Sequence, residues 1–311
     1  MPKEPPSPTA SGTALLKAEW ATQRERGSVW LLRLMAGFSL TLGRRVGRVP
    51  LYVIAAYFFL FAPRARRASM AYLRRALGRR PTVRDRFRQV MAFATTIHDR
   101  VYLLNDRFEL FDITVHGDEL MQERVRAGRG AFLVGAHLGS FEVTRAMGRQ
   151  HPGLRVAMVA YEDNARKINA MMAAVKPGLA DGMVALGTAE AMLKVRGLLD
   201  DGAFVGMLAD RTPGGEPTMA VEFLGAAAKF PLGPMRLAAL LQRRVILMLG
   251  IYCGGNRYRV IFEQIADFSG VERRNREEAI RAAVVRYAGR LESYSHEYPY
   301  NWFNFFDFWA E

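Results

Sequence analysis

Two stretches of the chain put acid–base side chains where a strand should end. The first is AFLVGAHLGSFEVTRAM, residues 131–147. It reads as a buried strand, a short glycine-containing turn and a helix. His137 falls at the strand's C-terminal end, where α/β folds place their chemistry. Glu142 follows after four intervening residues, in the first turn of the helix. An imidazole there can accept a proton from an attacking hydroxyl. A carboxylate on its other nitrogen would fix the tautomer and stabilise the imidazolium as it forms. The pair works only if the turn folds Glu142 back towards His137, a bend that Gly135 and Gly139 permit. Spacing alone leaves a purely structural His–Glu pair open. The second stretch is GMLADRTPGG, residues 206–215. Here a strand ends in Asp210 and Arg211 before a Pro-Gly turn. An arginine at that place can hold a phosphate or carboxylate through two parallel hydrogen bonds, or it can simply pair with Asp210 to brace the turn.

Other chemistries find no support. Ser140 lacks the G-x-S-x-G elbow of a serine hydrolase. Gly128 and Gly130 precede the strand instead of following it, so they form no dinucleotide fingerprint. No H-E-x-x-H or Cys/His spacing suggests a metal. Cys253 is the only cysteine, so no internal disulfide framework is expected.

The elements that must position these residues can be read from periodicity. Strands are predicted at 131–135, 155–160, 203–209, 221–224, 245–251 and 258–262. Helices are predicted at 141–149, 164–175, 188–199, 233–241 and 276–298. Apolar strands separated by helices predict an α/β fold with a central, mostly parallel sheet flanked by helices. In the last helix Ile280, Ala283, Val284, Tyr287, Leu291 and Tyr294 form one core-facing stripe. Small apolar residues in 221–241 could line an apolar groove, though plain core explains most of them. The terminal NWFNFFDFW (301–309) suits either an interfacial aromatic cluster or a tail docked on the core.

The N-terminal third has a different texture. Residues 1–13 read as a disordered tail, 14–110 as a helical membrane-associating region, and 111–311 as the α/β domain. The apolar runs 29–42 and 49–62 are each shorter than the roughly 20 residues a span needs. They predict two helices lying in a membrane interface or against the domain, with two buried core helices as the plain alternative. Residues 64–77 follow as a basic amphipathic helix with Ala65, Ala68, Tyr72 and Ala76 on one face.

The formal net charge is +14, and thirteen arginines lie between Arg44 and Arg88 against one acidic residue, Asp85. Such a block implies an anionic partner. No nucleic-acid-binding motif accompanies it, so anionic membrane lipid or an acidic protein is expected and nucleic acid is not.

With those residues in view, GAHLGSFE resembles the H-x4-[DE] motif of the lysophospholipid acyltransferase superfamily, and the chain resembles its lipid A biosynthesis type. RRASMAYLRR (66–75), NARKIN (164–169), ADRTP (209–213) with VEFLGAAAKFPLGP (221–234), and NWFNFFDFW carry a narrower similarity to the aryl-polyene and glycolipid branch. The resemblance implies an α/β acyltransferase with no metal or redox cofactor. It implies an acyl carrier protein thioester as donor and a lipid or glycolipid hydroxyl or amine as acceptor. By the match His137 is the general base, Glu142 its orienting carboxylate, and Asp210 with Arg211 a second active-site block. Asn164 joins Asp210 and Arg211 as a candidate substrate-binding residue. Tyr161 is followed by Glu162 where lipid A enzymes usually carry arginine, which points away from lipid A itself as acceptor. The implied location is the cytoplasmic face of a bacterial inner membrane, peripheral or monotopic. A non-catalytic lipid-binding protein is the rival reading, since it would need the groove but not the His–Glu pair.

Overall fold

The computed structural model describes residues 29–144, 153–161, 183–211 and 216–309. Asn164, Glu162, the predicted 164–175 helix, the end of the 141–149 helix and the N-terminal tail lie outside the described residues.

Four helices come first: α1 (Val29–Gly47), α2 (Val49–Phe61), α3 (Pro63–Ala76) and α4 (Val83–Leu104). The two apolar runs form α1 and α2, as their texture predicts. Gly43 breaks the helical path inside α1, with a φ of 81° that glycine reaches without a Cβ penalty. Among the described residues no helix is long and apolar enough to cross a membrane. Nor is α2 a buried core helix. It buries only Leu51 and Ala55 and leaves Val49, Tyr52, Val53, Tyr57, Phe58, Leu60 and Phe61 exposed. Helix α3 is amphipathic and turns Ala68, Tyr72, Leu73 and Ala76 inward, while Arg64, Arg67 and Arg74 stay exposed. Helix α4 has no clear apolar period in the sequence. A capping box starts it: Thr82 Oγ1 accepts from the Asp85 backbone, and Asp85 accepts from the Thr82 backbone.

The strands that follow are β1 (Asp112–His116), β2 (Phe132–Gly135), β3 (Val156–Tyr161), β4 (Met183–Leu186), β5 (Phe204–Leu208), β6 (Thr218–Phe223), β7 (Ala226–Pro231), β8 (Arg244–Tyr252) and β9 (Arg257–Asp267). Seven of them form one sheet in the order β1-β9-β8-β2-β5-β3-β4. Five of its six neighbouring pairs are parallel, and only β8–β9 is antiparallel. Helices α5 (Asp118–Arg126), α6 (Ala189–Asp200), α7 (Gly233–Leu240) and α8 (Arg276–Glu297) accompany it. This is the mostly parallel, helix-flanked α/β fold predicted from the strand–helix alternation. Central strands β2 and β5 are buried almost throughout, which is why they read as continuous apolar runs.

A separate hairpin joins β6 to β7. Its two-residue turn, Leu224–Gly225, has positive φ at both positions (52° and 73°), the pattern that matches strand twist in tight hairpins. Several apolar residues of this region are core, while Ala220 and Ala227 are exposed. Phe223, Ala228, Phe230, Met235, Ala238 and Ala239 are buried in one cluster with the α8 stripe and Trp302. Tyr72, Leu73 and Ala76 of α3 belong to the same cluster, so the basic helix is anchored by its apolar face.

Candidate active site

Parallel pairing of β2 with β5 builds the site. The register sets Gly135 opposite Leu208, and the ladder continues one step, with the Ala209 N–H donating to the Gly135 carbonyl (2.9 Å). His137 and Asp210 each lie two residues past their strand's end, so they emerge side by side at the C-terminal edge of the sheet. His137 Nδ1 is 3.0 Å from Asp210 Oδ1 and 3.1 Å from Oδ2. The His137 backbone N–H also donates to Oδ2 (3.1 Å).

The carboxylate on the ring's Nδ1 is therefore Asp210, where the spacing argument put Glu142. Glu142 is turned to another partner: Arg100 of α4 reaches it at 2.8 Å, and Ser140 Oγ leans towards its second oxygen at 3.5 Å. The reason lies in chain geometry. Residues 141–144 are already helical, so Glu142 is carried on the helix, whereas Asp210 arrives at the ring from the adjacent strand. The turn itself needs Gly139. Its φ is 88°, and a Cβ there would sit 2.3 Å from the Gly250 carbonyl oxygen. Gly135 has no such φ; it is a close-packing position with Leu208, the Met248 carbonyl and Phe141 against it.

Burial would push the Asp210 carboxyl up, but His137, Arg211 and Asn304 together outweigh it and hold it well below the usual carboxylate range. An ionised carboxylate only accepts, so Nδ1 carries the proton and Nε2 is left as the basic nitrogen. Burial first, and the nearby Arg211 charge second, lower the His137 pKa against the opposing pull of Asp210. The ring is then neutral at neutral pH. About 29% of its side-chain surface remains accessible, enough for a reacting group to approach Nε2.

Arg211 reaches across to the C-terminal aromatic segment. Its Nε donates to Asn304 Oδ1 (2.5 Å), and its guanidinium lies 5.1 Å from the Phe306 ring centre. Burial lowers its pKa to about 10, so it stays charged. Asn304 in turn donates from Nδ2 to Asp210 Oδ2 (2.9 Å). The segment that supplies these contacts docks on the core: Trp302 is fully buried and stacks on Tyr72. It runs antiparallel along the turn that carries His137. Phe303 N–H donates to the His137 carbonyl (2.7 Å), and Gly139 N–H donates to the Asn301 carbonyl (2.8 Å).

Asn304 and Arg100 are site residues that the sequence does not single out. The asparagines at 301 and 304 inside an aromatic run are the available signal for one of them, since a polar residue carried into a core needs a partner. Arg100 has no signal of its own within an arginine-rich region. Among the described residues no cluster of three His, Cys, Asp or Glu side chains could hold a metal.

The described residues thus present a mostly parallel α/β sheet with a carboxylate-held histidine beyond its strand ends. The sequence model of the bacterial lipid A biosynthesis acyltransferase family matches residues 29–307, and the chain belongs to that family. No curated protein matches the chain.

Proposed function

We propose that the protein transfers a fatty acyl group from an acyl carrier protein thioester to a hydroxyl or amine of a membrane lipid or glycolipid, with His137 as general base. The observation that carries this reading is the His137–Asp210 pair, with Nδ1 committed to the carboxylate and Nε2 left basic. In the reaction Nε2 takes the acceptor's proton as its oxygen or nitrogen attacks the thioester carbonyl. A new C–O or C–N bond forms, the C–S bond breaks, and the proton passes from His137 to the departing sulfur. Asp210 stabilises the imidazolium between the two proton transfers. Transfer is direct, since the hydroxyl in the catalytic turn, Ser140, is buried and directed to Glu142 instead of the ring. Glu142 is held by Arg100 at the start of the motif helix. Burial first and the Arg211 charge second favour the neutral His137 ring, and Arg211 with Asn164 is the candidate contact for the substrate's polar end.

The location is a membrane surface, and the cytoplasmic face of an inner membrane with peripheral or monotopic attachment fits best. Its support is the exposed apolar face of α2 beside a region rich in arginine. The acidic acyl carrier protein would meet basic surface, which should act mainly on its association rate.

The test is transfer of a labelled acyl group from acyl carrier protein to a bacterial membrane-lipid extract. His137→Ala should lower kcat by at least about 10²-fold with the fold intact. Near-parent turnover in that variant would remove His137 from its role. Equal use of the coenzyme A thioester at two salt concentrations would remove the carrier protein instead.

A further inference from the structure

Asp210 Oδ2 is crowded with donors, and one of them comes from the far end of the chain. It takes the His137 backbone N–H and the Asn304 Nδ2 hydrogen, at 3.1 and 2.9 Å. The ring Nδ1 faces both oxygens, 3.0 Å from Oδ1 and 3.1 Å from Oδ2. The other end of the Asn304 amide accepts from Arg211 Nε at 2.5 Å. The amide cannot be turned round: a guanidinium only donates and a carboxylate only accepts, so oxygen must face Arg211 and nitrogen must face Asp210. An asparagine meets both demands at once in one plane. Asn304 is itself fully buried, so loss of either contact leaves a desolvated charge short of a partner.

Its position is over-determined by the segment that carries it. Asn301 exchanges hydrogen bonds with the Tyr252 backbone, accepting from N–H (2.9 Å) and donating to C=O (3.1 Å). Gln89 of α4 donates to the Trp302 carbonyl (2.6 Å). Phe303 N–H holds the His137 carbonyl from the same side. The C-terminal segment thus brackets the catalytic histidine by its backbone and its carboxylate by Asn304.

We infer that Asn304 is a positioning residue for the acyl-transfer step, fixing the Asp210 carboxylate on the His137 ring and holding the Arg211 charge beside it. The inference rests on His137 acting as the base. It assigns the aromatic terminus a part in the site beyond covering the core.

Two variants separate the two contacts. Asn304→Asp keeps the shape and an acceptor for Arg211, but it removes the donor to Asp210 and sets a second carboxyl beside it. Asn304→Leu removes both contacts. Asn304→Asp should lower kcat by about 10- to 100-fold, the worth of one buried hydrogen bond to a charge, and Asn304→Leu, which loses both, by at least as much, each with the donor KM within about twofold. The His137 ring should titrate higher in Asn304→Asp, because Asp210 is then shared with fewer donors and negative charge is added. NMR of the imidazole Cε1–H follows this without substrate, and five histidines make the resonance assignable. On an Asp210→Asn background Asn304→Asp should cost little more, since the residue it serves is already gone. A merely structural asparagine would lower thermal stability and leave the His137 titration and the KM-to-kcat pattern unmoved. Parent-like kcat and an unshifted ring titration in Asn304→Asp would overturn the inference. If His137→Ala is also active, the general-base reading fails; if His137→Ala is dead while Asn304→Asp is normal, only the role of Asn304 fails.

Discussion

Asp210→Asn is the sharpest perturbation of the site, because the surrounding donors dictate how the new amide must lie. Two N–H groups, from the His137 backbone and Asn304, already point at the Oδ2 position. The oxygen of the introduced amide will take that position, and its NH2 group will fall where Oδ1 was, 3.0 Å from His137 Nδ1. An NH2 there calls for an acceptor and shifts the ring towards the tautomer with its hydrogen on Nε2, against the amide oxygen, which at 3.1 Å still offers Nδ1–H an acceptor. That tautomer presents a donor where the reaction needs a base. The negative charge that supports the imidazolium is lost as well. A carboxylate-to-amide change of this kind costs about 10⁴-fold where a histidine is the base of a hydrolase triad. A drop of ~10³–10⁴-fold in kcat is expected here, or about 4–5.5 kcal/mol of transition-state stabilisation at 1.36 kcal/mol per tenfold. The fold should survive, because the isosteric amide still satisfies both Oδ2 donors and removes a buried charge. The assay is acyl transfer to membrane-lipid extract, with circular dichroism as the control for folding. Retention of more than about a tenth of parent turnover in a folded Asp210→Asn protein would refute the tautomer argument.

Asp99 is fully buried and held by Arg44 through two hydrogen bonds (2.7 and 2.8 Å) and by Tyr258 (2.7 Å). Arg44→Leu should therefore destabilise by about 3–5 kcal/mol in denaturant melts, the cost of leaving a buried charge unpaired; a loss below ~1 kcal/mol would show the pair to be dispensable. Asp85 is held below the usual carboxylate range first by Arg79 and then by the Thr82 cap. Its stabilisation is fully present above the unfolded value near pH ~4 and is lost as pH falls below it, so Asp85→Asn should flatten the acid side of a stability–pH curve and leave its slope near neutrality unchanged. Val53 is 72% exposed and Phe61 is 61% exposed, so Val53→Glu with Phe61→Glu should spare the melting temperature. Co-sedimentation with anionic vesicles should weaken at least about 100-fold, given ~1.5–3 kcal/mol per apolar side chain buried in lipid, and the parent should be partly released by high salt; unchanged pelleting of the variant would exclude α2 as the contact.

Sequence by itself determined what depends on near neighbours. Buried strands such as β2 and β5 showed as apolar runs, the α8 stripe showed its period, and the turn after His137 showed its glycine. The histidine was legible because it stands at the C-terminal end of an apolar strand, where α/β folds place their chemistry. Elements with weaker local patterns were missed. The short, half-exposed edge strand β1 alternates only over Asp112–His116. Helix α4 hides its inward face among arginines and announces itself only by the Thr82–Asp85 cap. The β6–β7 hairpin turns on a leucine with positive φ, which no turn signature anticipates. Tertiary structure alone decided which carboxylate meets the ring. Glu142 is five residues from His137 and Asp210 is 73, yet strand register outranks sequence distance. It decided equally that Asn304 completes the site, 94 residues beyond Asp210, and that α2 keeps its apolar face outward. Helix and strand periods fix which side of an element is apolar, but partners across the sheet are fixed by register and packing, which no local window contains.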